Sequence, residues 1–329
     1  MNRKSIIEAL SKNSQDYWKI IKEENKRCID NYKNKVYTDI KKGLKSVIEN
    51  FNLENIVIGV TGSNGRLESH RSETDLIILS KENISSKLSK EILKELNPLL
   101  LEIKTLDQTL SFYSNNPKIV YPTRMIDFLE LNGDRCKKCY DDFMEKFAEE
   151  LVESKRIRDS ANEKFKEYLK INSTGKQIWK RNEIEHYNLE QGFFYYDENP
   201  ENGKYGPKYG PLRTIQFFIA KNILKKPYVL LSQDKQKLKE FYKKLFYIMP
   251  RTTVERIDFL SNEVICKEKI LDLSENSKND LKDNYNYFLI LYHKLQEMHF
   301  INKNLIIIKT ESKELKERIN SIERIVSQN

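Results

Sequence analysis

The chain has 329 residues, 33% of them charged and 39% hydrophobic, with a formal net charge of +9 at pH 7. That length suffices for two modest domains, or for one domain with a helical extension. The apolar residues fall in periodic runs, which excludes a wholly disordered chain and predicts a sizeable core. No uncharged apolar run approaches the roughly 20 residues of a membrane span, and the opening MNRKSIIEALSKNSQDYW lacks the apolar core of a signal peptide. The expectation is a cytoplasmic protein with no membrane partner.

The excess positive charge favours anionic partners such as nucleotides, nucleic acid or acidic proteins. It is spread along the chain, and no arginine-rich tract or known binding module singles out nucleic acid, which is therefore allowed but not favoured. Four cysteines occur, at 28, 136, 139 and 266. Cys136 and Cys139 form a C-x-x-C inside DRCKKCYDDFMEKF, an amphipathic helical pattern with no second pair or nearby histidine to complete a zinc set. Reduced, structural cysteines are expected.

In chain order, residues 3 to about 50 carry helical spacing, with Ile6, Ile7, Leu10, Trp18, Ile21 and Ile29 among the inward positions. Then NIVIGV reads as a strand, SNGRLESHR as a turn and short helix, and DLIILS as a second strand. SSKLSKEILKEL reads as a helix, and LLLEIKTL as a third strand after Pro98. Strands separated by short helices predict a small α/β sheet. From Leu106 the pattern turns mostly helical, with a charged helix or helix pair over 134–169. Glycines, asparagines and prolines cluster between 172 and 211, including a tandem KYGP, and predict a long loop with a functional role. Helical patterns resume at Leu212 and run to the end. The expected domains are an N-terminal helical segment over 1–50, a catalytic domain over 51–150 and a mainly helical C-terminal domain over 151–329.

The chemistry concentrates in GVTGSNGRLESHRSETDLIIL. Gly62-Ser63 follows a strand and opens a helix, where a glycine brings backbone close to a ligand and a serine hydroxyl can hold a phosphate. Ten residues on, Glu73 and Asp75 stand one residue apart at the start of a strand. Alternate strand residues share a face, so both carboxylates point the same way. Two acids so placed repel unless a divalent cation lies between them, and an oxygen-only pair suits magnesium, with manganese as a substitute. The implied chemistry is attack of a hydroxyl on the α-phosphate of a nucleoside triphosphate.

This stretch resembles the nucleotidyltransferase superfamily, whose signature is a Gly-Ser turn followed by two acids one residue apart. Gly65-Arg66 and then Glu68 look like the G-R-x-E of the glutamine synthetase adenylyltransferase and the nitrogen-regulatory protein uridylyltransferase. LEIKTLDQTL resembles the strand that carries their D-L-R or S-V-R-T, TRMIDFLELNGD their T-x-L-x-E-A-R-x-x-x-G-D, and KYGPLRTIQFF their K-x-G-P-G-G-L-R-D-I-x-F. LKDNYNYFLILYHKLQEM is similar to a later helix of the adenylyltransferase.

The resemblance implies an α+β fold: a small mixed-sheet, polymerase-beta-like domain flanked by N-terminal helices and a C-terminal helical bundle. It implies metal ligands Glu73 and Asp75, a third carboxylate at Glu102, and nucleotide contacts at Gly62, Ser63, Arg66, Lys104, Lys208 and Arg213. It also implies ATP or UTP as donor and a protein hydroxyl as acceptor.

Several positions depart from that pattern. The loop before the acids is one residue shorter, Glu73 replaces an aspartate, the G-G is missing, and Thr214 stands in place of an aspartate. Aligned from Asp75 instead, the second acidic position falls on Ile77. These departures keep open a catalytically weak relative that senses nucleotide or scaffolds a partner, and the basic balance keeps open a toxin-type or RNA-directed nucleotidyltransferase.

Overall fold

A computed structural model describes residues 19–27, 30, 56–70, 74–80, 108–114, 122–130, 137–179, 182–196, 206–302 and 306–328. They form an α+β protein with small sheets and predominant helix. No helix among the described residues is long and apolar enough to cross a membrane. Two compact units emerge, Lys19–Ile157 with Leu231–Thr252, and Arg158–Leu230 with Thr253–Asn329. The units interleave along the chain, so a late helical segment belongs with the early sheet.

The first unit begins with a helix over 19–27 (α1). Its sheet has the order β3-β2-β1-β4, with β1 Ile56–Thr61, β2 Thr74–Ser80, β3 Gln108–Ser114 and β4 Leu129–Glu130. β1 pairs antiparallel with β2 and β4, while β2 and β3 are parallel, which makes the sheet mixed. Val57, Ile77 and Leu79 are fully buried on one face, as period-two alternation requires, and Val60 is fully buried on the other. Between β1 and β2 lies a single helical turn, Gly62–Gly65 (α2), and a short helix Pro122–Ile126 (α3) precedes β4.

Lys137–Glu153 (α4) and Lys155–Thr174 (α5) form the expected charged pair, broken at Ser154, and Cys139 lies in α4. Lys235–Ile248 (α7) packs on α4 through Phe147 and Phe246, ring centroids 5.6 Å apart. Ion pairs edge that contact. Lys239 meets Glu145 at 2.6 Å and Glu149 at 3.2 Å, and Lys235 meets Glu153 at 3.0 Å.

The second unit pairs α5 with Pro211–Leu231 (α6), joined by Phe165 to Phe218 and Tyr168 to Phe217. Thr253–Asn262 (α8), Glu275–Asn302 (α9) and Ser312–Ser327 (α10) complete its helices. On α10 the residues Leu315, Ile319, Ile322 and Val326 recur every three or four positions and are all fully buried.

Three expectations are corrected. The stretch 172–211 is not simply a loop, for it holds strands β5 Lys176–Trp179, β6 Asn182–Glu185, β7 Tyr187–Asn188 and β8 Phe193–Tyr196. β8 pairs with β11 Ile306–Lys309, far along a segment expected to be helical, and such non-local pairing leaves no local signal. Another two-residue pair, β9 Val264–Ile265 and β10 Glu268–Lys269, also lies there. The pattern likewise does not turn helical at Leu106, because β3 runs over Gln108–Ser114 with Leu110 and Phe112 alternating against threonine and serines. The expected helix at SSKLSKEILKEL and strand at LLLEIKTL lie outside the described residues, as does most of the N-terminal segment.

Candidate active site

The turn between β1 and β2 is held by several independent constraints. Gly62 takes φ +64°, a left-handed conformation that glycine adopts without steric cost, and this lets the chain leave β1 and enter α2 at once. The turn closes through Arg66 N–H to Gly62 O at 3.0 Å and Glu68 N–H to Ser63 O at 2.8 Å. Leu67 follows at φ +60°, a strain of about 1–2 kcal/mol for a residue with a side chain.

The segment 124–130 braces the turn from below. Thr61 donates its hydroxyl to Arg124 O at 2.6 Å, and Gly59 and Val60 pair with Glu130 and Leu129. Gly65 is glycine for packing: a Cβ there would sit 1.7 Å from the Asp127 carbonyl oxygen. From the other side, α1 clamps the exit of the turn. Asn25 donates to Ser69 O at 2.8 Å and accepts from Ser69 N–H at 3.1 Å. Two motifs far apart in sequence, GSNGRLE and TRMID, therefore make one substructure.

Arg66 lies inside it. Its Nε donates to Glu68 at 2.9 Å and its Nη1 to Asp127, with the arginine and Glu68 side chains both under a tenth exposed. The expectation made Arg66 a triphosphate ligand, whereas here two carboxylates already hold its guanidinium. Asp127 escaped sequence reading because it lies 61 residues from Arg66. The Arg66–Glu68 spacing was a visible signal for an internal pair.

The antiparallel ladder of β1 and β2 places Asp75 opposite Thr61, the residue just before Gly62. Directly paired residues have Cα atoms about 4.5–5.5 Å apart, so the Asp75 backbone lies beside the entrance to the Gly62-Ser63 turn. Gly62 and Ser63 are half-buried. Ile77, the other position considered for the second acid, is a fully buried core residue of β2.

On the far side of β2, Asp75 pairs with Thr109 of β3, a strand that contains no carboxylate. Glu73, Glu102, Lys104, Gly133 and Asp134 lie outside the described residues. Among the described residues no group of three or more His, Cys, Asp or Glu could hold a metal. The donor chemistry of a Glu73/Asp75 pair is oxygen-only, the kind a hard cation such as magnesium takes.

The remaining expected residues fall in the second unit. Lys208 sits in a 3₁₀ turn, Pro207–Tyr209, with its Nζ 5.8 Å from the Tyr209 ring and 5.7 Å from the Tyr292 ring. Arg213 stands in the first turn of α6, its Cζ 6.0 Å from the rings of Tyr168 and Phe217. Gln216 donates to the Tyr285 hydroxyl at 2.8 Å. His293 is fully buried, and so is Phe194 of the aromatic run 193–196, against Tyr187 and Phe288.

No protein-family model matches this chain, and no curated protein matches it.

Proposed function

We propose that the chain is a metal-dependent nucleotidyltransferase, moving a nucleoside monophosphate from a nucleoside triphosphate to a hydroxyl, with a protein as acceptor and ATP or UTP as donor. The observation that carries this is the β1–β2 ladder, which sets Asp75 opposite Thr61 at the entrance to the Gly62-Ser63 turn. The packing of TRMID against GSNGRLE adds support, because those are two of the segments on which the resemblance rests.

In the reaction the acceptor oxygen bonds to the α-phosphorus, the bond to the β-phosphate oxygen breaks, and pyrophosphate leaves with that electron pair. The Ser63 hydroxyl and the turn backbone hold phosphate oxygens, a task suited to a pre-set turn. Glu73 and Asp75 would hold magnesium, which offsets charge on the phosphates when bound. Glu102 is the third carboxylate that the resemblance supplies, to accept the acceptor's proton. Lys104 is a proposed phosphate contact, whereas Lys208 and Arg213 belong to the second unit and have that role from the resemblance alone.

A second reading is favoured by one observation. Arg66 is taken up by Glu68 and Asp127 and contributes no free charge to the turn. That arrangement also suits a relative that binds nucleotide, or a partner, without turnover.

Pyrophosphate release separates the two. Each nucleoside triphosphate with magnesium is incubated with wild type, Asp75→Ala and Glu73→Gln, in the presence of cell lysate as acceptor source. Transfer expects release from one nucleotide, lost in both variants with the fold intact. Binding without release supports the second reading, and release undiminished in both variants removes the proposed site.

A further inference from the structure

Helices α5 and α6 of the second unit run antiparallel, and one edge of their seam is a row of cations set among aromatic rings. Tyr168 and Phe217 stack with centroids 5.1 Å apart, and Phe165 meets Phe218 at 6.0 Å. Over these rings lie Arg213, 6.0 Å from both Tyr168 and Phe217, and Lys221, 4.8 Å from Phe165. Arg158 covers Tyr228 at 3.5 Å at the far end. Arg213, Phe217, Lys221 and Lys225 recur every fourth residue of α6, which places them on one slowly winding stripe. At about 1.5 Å rise per residue the stripe is roughly 18 Å long.

Among the described residues the charge on this stripe meets no carboxylate. α6 carries Arg213, Lys221, Lys225 and Lys226 and no acidic residue at all. Lys226 meets Glu268 at 2.6 Å, but among the described residues Arg213, Lys221 and Lys225 form no ion pair. The contrast is with α7, whose Lys235, Lys239 and Lys243 all face carboxylates of α4.

Two of the unpaired cations are also poorly solvated. Arg213 Nε is fully buried with no acceptor among the described residues. Lys221 is half-buried, and burial first, then the neighbouring charge of Lys225, holds its ammonium below the usual lysine range. A buried donor without an acceptor and like charges side by side both cost free energy in the isolated protein. An anion laid along the stripe relieves the repulsion between Lys221 and Lys225.

We propose that this stripe binds a single-stranded nucleic acid, with backbone phosphates on Arg213, Lys221 and Lys225 and bases against the half-buried rings of Tyr168 and Tyr209. A row about 18 Å long is too extended for a single nucleotide and suits a repeating anion. The guanidinium fork of Arg213 matches phosphate oxygens, and rings interleaved with cations are what single strands use, since every base has a face to stack. An acidic peptide would use the charges and leave the rings idle. The stripe lies within the second unit and shares no residue with the β1–β2 turn, so it holds whether or not that turn transfers nucleotides.

The test is fluorescence anisotropy of a labelled oligo-uridine of about 20 nucleotides with the full chain, over a range of salt and without nucleoside triphosphate. Three phosphate contacts predict a slope of log affinity against log salt of about −2, from about −0.7 per contact on a single strand. The double variant Lys221→Gln/Lys225→Gln flattens that slope to about −0.7, while Lys221→Arg/Lys225→Arg retains it. Circular dichroism of both variants establishes that the helices are intact. Undiminished binding by the glutamine variant overturns the proposal. So does competition by poly-glutamate as effective as that by unlabelled oligo-uridine, which would assign the stripe to an acidic protein.

Discussion

Replacing Arg66 by alanine separates a structural ion pair from a phosphate ligand. The guanidinium lies between Glu68 and Asp127, with side-chain exposures of 7%, 2% and 14% for Arg66, Glu68 and Asp127. Removing it leaves two carboxylates facing each other in a poorly solvated place, and breaking such a buried pair costs about 3–5 kcal/mol. Taking about 3 kcal/mol for a partly relaxed site, and about 2–4 °C per kcal/mol in a unit of this size, Arg66→Ala lowers the melting temperature by about 6–12 °C. Arg66→Lys recovers little, because a single ammonium cannot serve both acids as the planar fork does. The assay is thermal unfolding followed by circular dichroism, with nucleotide affinity measured in parallel. A variant that melts within about 2 °C of wild type yet loses nucleotide affinity would refute the structural assignment and restore Arg66 as a ligand.

Two further outcomes follow from packing and burial. Gly65→Ala puts a methyl group 1.7 Å from the Asp127 carbonyl oxygen, a backbone atom that cannot swing away, so the variant loses more than about 3 kcal/mol in urea unfolding. Equal stability would mean that the 124–130 segment does not brace the turn. His186 is fully buried, and burial lowers its pKa from 6.5 to about 4. A folded-state pKa below the unfolded one means that stability is complete above about pH 6.5 and is lost as the pH falls towards 4. The loss amounts to about 3 kcal/mol. His186→Phe, which keeps a ring against Tyr209, shows a shallower fall of urea midpoint between pH 7 and 4. Superimposable profiles would contradict the burial.

What could be read from the sequence depended on range. NIVIGV and DLIILS are short apolar runs bounded by turn residues, and both are strands where that pattern places them. The α4–α5 pair was legible from its period, but its break at Ser154 and its end at Thr174, past the expected 169, were not. β3 was missed because its alternation of Leu110 and Phe112 with polar residues is short and follows a segment that already reads as a strand. β8 and β11 were missed because neither is long enough to declare itself, and each is completed by the other across more than a hundred residues. At the candidate turn the sequence singled out Gly62, Gly65 and Arg66, but not what the fold asks of two of them. Gly65 is demanded by Asp127 and Arg66 is neutralised by it, and nothing local ties position 127 to the turn.

The most direct measurement of the central claim compares α-labelled with γ-labelled nucleoside triphosphate, each incubated with magnesium, cell lysate and either wild type or Asp75→Ala. Nucleotidyl transfer predicts label on an acceptor protein from the α-labelled nucleotide only, γ-label recovered as pyrophosphate, and neither with Asp75→Ala. Label passing to protein from the γ-position, or α-label transfer that survives loss of Asp75, would contradict it.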